Sequence, residues 1–235
     1  MLALEEREAH HGLHVLRLRQ GERVVVLDGA GNEFSCDVRQ LGKDSIQLAV
    51  TQKNAIAPLP CALTLVQAVP KGKAMDMIVQ KATELGVARI VPLLSERVVA
   101  HLENDSTRTD KWRQVAIEAI KQSGSAWLPQ IDQPLTPKEY LARNERFELP
   151  LIASLQPDSR HPRVLFQSFH EEKGRAPQTA CVWVGPEGDF TPAEIGAARS
   201  AGALPITLGR LILRSETAAI YCLSVLNYEL QAPAK

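Results

Sequence analysis

Up to residue 52, apolar positions come in short runs separated by glycine-bearing turns. Residues 23–28 predict a strand, Gly29, Ala30, Gly31 and Asn32 a turn, and 33–39 and 45–51 further strands around Gly42, Lys43 and Asp44. Short strands at this spacing predict a small β-barrel. Ahead of them, segment 10–19 turns Leu13, Leu16 and Leu18 toward a core and leaves Arg17 and Arg19 outside; no opening strand is read before Glu5. Residues 51–60 carry two prolines and few bulky apolar side chains, which predicts a linker.

Beyond the linker the pattern changes to alternating strands and helices, the signature of an α/β fold with a parallel sheet. Buried strands are predicted at 62–69, 87–93, 149–155, 180–184 and 205–207. A helix over 73–85 sets Ala74, Ile78, Ala82 and Leu85 on one face, with Gly86 as its stop. A second, over 110–122, lines Trp112, Val115, Ala116, Ala119 and Ile120 against Lys111, Gln114, Glu118 and Lys121. A third, over 216–231, carries the stripe Ala219, Ile220, Leu223, Leu226 and Leu230.

Two loops in the last third carry the candidate chemistry. One comes after strand 180–184 and runs Gly185, Pro186, Glu187, Gly188, Asp189, Phe190; Thr191, Pro192 and Glu194 then form a capping box with proline at the first helical position. The other comes after 205–207 and mixes Leu208, Gly209, Leu211, Ile212 and Leu213 with Arg210, Arg214 and Glu216. Both begin where a parallel strand ends, the edge at which open α/β sheets bind ligands. So many apolar residues beside a few charges suit a pocket for something flat and apolar better than a surface turn. Neither loop continues into the Gly-Lys-Ser/Thr of a phosphate cradle. Ser215 is a candidate helix N-cap.

Composition narrows the class only modestly. The chain of 235 residues is 45% hydrophobic and 23% charged, ordinary for a water-soluble protein. No apolar run reaches the roughly 18 to 20 residues of a membrane span, and the amino terminus lacks a secretory pattern. Cys36, Cys61, Cys181 and Cys222 are too scattered for a zinc site and point to reduced core thiols. His10, His11 and His14 have no acidic or cysteine partner at ligand spacing, so no metal is expected. With 27 basic and 27 acidic residues the formal charge is zero, which argues against general stickiness for nucleic acid and leaves room for a local basic face.

The residues 185–188 and then 208–218 (Leu-Gly-Arg-Leu-Ile-Leu-Arg-Ser-Glu-Thr-Ala) resemble the bacterial methyltransferases that modify a uridine at N3 in small-subunit (16S) ribosomal RNA, the small subunit methyltransferase E family of the SPOUT superfamily. Glu96 with Arg97 and Gln122 to Gly124 resemble it as well, while Ser125 stands where members commonly carry arginine. The resemblance implies a PUA-like RNA-binding barrel at 1–55. It implies a SPOUT-type domain at 60–235 whose last helix packs through the preceding loop to make a trefoil knot. It also implies S-adenosyl-L-methionine as cofactor, 16S ribosomal RNA or the small ribosomal subunit as partner, a homodimer with each active site near the subunit interface, and a cytoplasmic location.

The cofactor residues so implied are Leu155, from the first of three loops, with Gly185, Glu187, Gly188, Leu208, Gly209 and Leu213. Uridine N3 becomes nucleophilic when its proton leaves, so an arginine near O2 or O4 and a carboxylate to take the proton are wanted. Arg214 and Glu216 are the candidates; alternatively they pair with each other or with the sheet edge and only fix the loop. Phosphate contacts are expected from Arg17, Arg19 and Arg23 in the first domain and Lys71, Lys73 and Arg97 in the second, each with ordinary surface charge as its rival reading. The polar face of 110–122 either meets RNA or is a solvated face with pairs such as Glu118 with Lys121. The alternative function is a non-catalytic RNA- or ribosome-binding protein, motivated by the missing opening strand and Ser125.

Overall fold

Residues 1–97 and 106–231 are described by the computed structural model of the protein. They fall into two units, Met1–Pro58 with Gly124–Trp127, and Leu59–Ser123 with Leu128–Lys235.

The first unit contains β1 (Leu2–Glu5), α1 (Glu6–His10), a π-helical turn (His11–Val15), β2 (Arg23–Leu27), β3 (Asn32–Leu41) and β4 (Ser45–Ala55). The strands form an antiparallel sheet in the order β1-β4-β3-β2. The expectation of no strand before Glu5 is corrected: Leu2 lies opposite Leu48 and Leu4 opposite Ile46. Its four residues alternate half-buried and exposed, so the signal was there but too short to stand alone. Register shifts at Ser35/Cys36 and Val38/Gln40 mark bulges that bend the long β3–β4 ribbon over a core of Ala9, Cys36, Val38, Ile46 and Leu48. Because β4 runs to Ala55, half of the expected linker is sheet. Gly31, at φ +91°, leaves room for Trp127: a Cβ there would fall 2.3 Å from the indole, whose Nε1 donates to the Ile56 carbonyl at 3.0 Å.

In the second unit the order is β5 (Ala62–Ala68), α2 (Ala74–Glu84), β6 (Arg89–Leu93), α3 (Ser106–Ser123), β7 (Gln130–Ile131), α4 (Pro137–Ala142), β8 (Leu149–Ala153), α5 (Pro162–Lys173), β9 (Thr179–Val184), α6 (Pro192–Ser200), β10 (Leu204–Ile206) and α7 (Ser215–Leu230). All six strands are parallel, in the order β10-β8-β9-β5-β6-β7.

Both faces of this sheet are covered, which is why its strands are continuous apolar runs. On one face Leu63, Leu65, Leu151 and Val182 meet Ile78 and Val79 of α2, Trp112 and Ala116 of α3, Leu165 of α5, and Ala219, Leu223 and Leu226 of α7. On the other, Val66, Val91, Ile152, Cys181 and Trp183 meet Tyr140 of α4 and Ile195 and Ala198 of α6. The Thr191–Glu194 capping box forms as expected, and Thr136 with Glu139 makes a second that starts α4. At the outer strands Arg89 donates to Asp132 at 2.5 and 3.0 Å and to Glu145 at 2.6 Å, and Arg143 reaches Asp132 at 2.6 Å. Among the described residues no helix is long and apolar enough to cross a membrane.

Candidate active site

Three loops leave the carboxyl ends of β8, β9 and β10 and close around a cavity of about 360 Å³. The loop after β8 supplies Ser154, Leu155 and Gln156; that after β9 supplies residues 185–187 and Asp189; that after β10 supplies 207–213, with Ser215 and Ala218 of α7 closing the side. Gly185 is glycine for steric reasons: a Cβ would lie 2.9 Å from Asp189 Oδ1 and 3.2 Å from Phe190 N. Gly209 is glycine for conformational ones, since its φ is +112° with open space where a side chain would point. Thr207 Oγ1 accepts from Gly209 N at 3.2 Å and shapes this second bend. Among the described residues, the backbone N–H groups of Leu208 and 210–213 donate to no protein acceptor. The cavity wall therefore sets apolar side chains and unpaired main-chain donors beside a few polar and charged groups (Gln156, Glu187, Asp189 and Arg210), a combination that suits a flat heterocycle.

Of the sequence-derived cofactor residues, Leu155, Gly185, Glu187, Leu208, Gly209 and Leu213 all line this one cavity. Glu187 is steadied by Lys71, whose backbone N donates to its Oε1 at 3.0 Å. Gly188 does not line it; its carbonyl accepts from Arg97 Nη1 at 2.6 Å and its Cα faces the Arg97 side chain. Arg214 is the N-cap of α7 and Glu216 lies in its first turn. Neither lines the cavity, and among the described residues neither side chain makes a hydrogen bond or ion pair. The pairing expected if they only fixed the loop is thus not seen. Lys71 and Lys73 come after β5 and Arg97 after β6, at the same carboxyl edge of the sheet. Arg17, Arg19 and Arg23 belong to the first unit and are exposed, Arg17 at φ +54° and Arg23 3.8 Å from Asp37. On the polar face of α3, Lys121 pairs with Glu118 at 3.2 Å and Lys111 bridges to Asp76 of α2.

Comparison with known proteins then fixes the family. The family model for the RNA methyltransferase domain matches residues 57–227, and that for the RNA methyltransferase PUA domain matches 4–51. The ribosomal RNA small subunit methyltransferase E of Synechocystis is 31% identical over 233 residues, covering 98% of this chain and 74% of the relative. The chain belongs to the ribosomal RNA small subunit methyltransferase E family. Solved structures agree with this assignment. A Legionella pneumophila methyltransferase in complex with bound S-adenosylmethionine superposes with a TM-score of 0.86 at 31% identity, covering 97% of this chain and 91% of that one. The methyltransferase E of Neisseria gonorrhoeae, also bound to S-adenosylmethionine, gives 0.85 at 28% identity with the same coverage.

For an RNA methyltransferase of this family, the residues that sequence reasoning missed are polar ones. Ser215 is not the N-cap that its position suggests. The N-cap is Arg214, and the Ser215 hydroxyl instead donates to the Gly185 carbonyl at 2.7 Å. Behind it lies Gln67, whose signal was available: an amide near the end of a strand buried on both faces. The thiols of this methyltransferase domain take no part in the site. Burial pushes Cys61, Cys181 and Cys222 each up to about 12, so all three stay protonated.

Proposed function

We propose that this chain methylates N3 of a uridine in 16S ribosomal RNA, using S-adenosylmethionine held between the loops after β8, β9 and β10. The reading is carried by one observation: a cavity walled by Leu155, Leu208, Leu213 and unpaired main-chain donors, at the carboxyl edge of a parallel sheet, in a member of the methyltransferase E family. The cavity volume of about 360 Å³ falls in the range of roughly 300 to 1,000 Å³ usual for small-molecule sites. When bound, S-adenosylmethionine supplies a methyl group activated on a sulfonium, which needs no metal to be released.

This chain's residues supply the rest. Leu155, Leu208, Leu213 and the main chain of Gly185 and Gly209 would hold the flat adenine ring. Glu187, which lines the cavity, would meet polar groups of the cofactor, and Gly188 acts through the carbonyl that accepts from Arg97. Arg214 stabilises negative charge on uridine O2 or O4 as the N3 proton moves to the carboxylate of Glu216. That neither side chain has a partner among the described residues favours this role over loop fixing. Lys71, Lys73 and Arg97 neutralise RNA phosphates near the site. Residues 1–55, with Arg17, Arg19 and Arg23, serve as the PUA-like RNA-binding domain, and residues 60–235 as the methyltransferase domain.

The trefoil knot belongs to the same reading, supported by α7 packing into the core after a hydrogen bond to the loop beyond β9. A homodimer with each site near its interface is supported by the apolar side chains of Leu211 and Ile212, 79% and 81% exposed beside the cavity. The place of action is the cytoplasm, where ribosomal RNA is. The non-catalytic alternative loses one of its two motives with the finding of β1, and Ser125, the other, closes a local turn on the backbone of Trp127. The test is incubation of undermethylated small subunits with the protein and methyl-deuterated S-adenosylmethionine, then nuclease digestion and mass spectrometry. One labelled 3-methyluridine is expected; no transfer, or transfer to another base, would overturn the proposal.

A further inference from the structure

Gln67, at 0% exposure, sits one residue before the end of β5 among apolar neighbours. Its amide has two hydrogens and both are engaged: Nε2 donates to the Ala68 carbonyl at 2.8 Å and to Ser215 Oγ at 2.9 Å. Ser215, also buried, passes its single hydrogen on to the Gly185 carbonyl at 2.7 Å. Donor counting fixes the direction of this chain, because the reversed amide would set its oxygen against the Ala68 carbonyl oxygen. Among the described residues, the remaining amide atom, Oε1, is buried with no partner. An apolar side chain in the same place would avoid that penalty, so core packing does not account for a glutamine here. What the amide does, and leucine or methionine cannot, is anchor the hydroxyl that holds the first carbonyl of the 185–190 loop. Among the described residues, the bond from Ser215 to Gly185 is the one hydrogen bond joining loop 185–190 to segment 207–216.

We propose that Gln67 and Ser215 are positioning residues: their relay sets the separation of the two loops and hence the width of the cavity between them. Gly185 and Ser215 line the cavity, whereas Gln67 stands behind them and outside its wall. The inference rests on the reading of that cavity as the S-adenosylmethionine site. Its test is calorimetry of the full chain with S-adenosylmethionine for the wild type, Gln67→Met, Ser215→Ala, Ser215→Thr and the Gln67→Met/Ser215→Ala double variant, each checked for fold by circular dichroism.

Each of the two disabling single changes should raise Kd by about tenfold or more, and the double variant should be no worse than the poorer single, because both cut one chain. Ser215→Thr, which keeps the hydroxyl but adds a methyl at a buried position, should bind at least about threefold more tightly than Ser215→Ala. Folded single variants that bind like the wild type would overturn the relay, as would effects that multiply in the double variant. Loss of fold in both singles would also overturn it, by making the relay a folding element. Failure of the wild type itself to bind would instead strike the reading of the cavity.

Discussion

A single methyl group at residue 185 tests whether the main chain of the first loop forms the wall of the cofactor site. A Cβ there would lie 2.9 Å from Asp189 Oδ1, 3.2 Å from Phe190 N and 3.3 Å from Asp189 Cα. Two of these are backbone atoms in a turn closed by Asp189 N donating to the Pro186 carbonyl at 3.0 Å, so they cannot rotate aside. The third is the carboxylate oxygen that accepts from Phe190 N at 2.8 Å, and moving it breaks that bond. A lost charge-assisted hydrogen bond is worth about 1.5–3 kcal/mol. Overpacking by one methyl costs about 1–3 kcal/mol. One motion relieves both, so they overlap, and about 2–3 kcal/mol is the expected cost of restoring the present loop. If the cofactor needs this loop geometry, Gly185→Ala raises its Kd roughly 30- to 150-fold.

The assay is isothermal calorimetry with S-adenosylmethionine, alongside circular dichroism to confirm the fold. Gly209→Ala is the control of different origin. Its Cβ meets nothing within 4 Å, and only the φ of +112° opposes it, so backbone strain of about 1–3 kcal/mol is the whole expected effect. A folded Gly185→Ala protein that binds within about threefold of the wild type would refute the reasoning.

Arg214→Ala should lower turnover by about a hundredfold or more with cofactor affinity little changed, since Arg214 lies outside the cavity wall; unchanged turnover in a methyl-transfer assay would remove it from the mechanism. Asp132→Ala, which leaves Arg89 with Glu145 alone and Arg143 without its nearer carboxylate, should destabilise by about 1.5–3 kcal/mol in urea melts at neutral pH, and a change below about 0.5 kcal/mol would mean the cluster is not structural. Burial alone would raise the Asp132 pKa, but hydrogen bonds from Arg89 and Arg143 outweigh it and hold the group below its ordinary value. Its contribution is therefore fully present above about pH 4 and fades as pH falls below that. Asp132→Asn should flatten the stability curve in that acid window, and an unchanged curve would count against the assignment. Cys61, Cys181 and Cys222 should resist a thiol reagent at pH 8 in the native protein and react once it is unfolded; prompt native labelling would contradict their burial and raised pKa.

The parallel sheet was legible because strands covered on both faces are mostly apolar, as at Ala180 to Val184. The two glycine loops were legible for a related reason: the loop at the carboxyl end of a buried parallel strand is the one that meets the ligand. β1 escaped because four alternating residues specify nothing until Ile46 and Leu48, far along the chain, pair with them. Helices α4 and α5 escaped too, although Thr136 and Glu139 announce the first of them. The Arg89–Asp132 pair joins residues 43 apart in sequence, and no local pattern marks such a contact. The tie from Gln67 through Ser215 to Gly185 was hidden for the same reason, since its meaning depends on which strand ends the fold brings side by side. Gly188 was assigned to the wall as a glycine that lets backbone approach a ligand, whereas its carbonyl accepts from Arg97 outside the cavity lining.

The most direct measurement is a crystal structure of the protein grown with S-adenosylmethionine. Adenosine density is expected between residues 185–187 and 207–213, in contact with Leu155 and Leu213. Cofactor density elsewhere on the chain, or none there at saturating concentration, would contradict that placement.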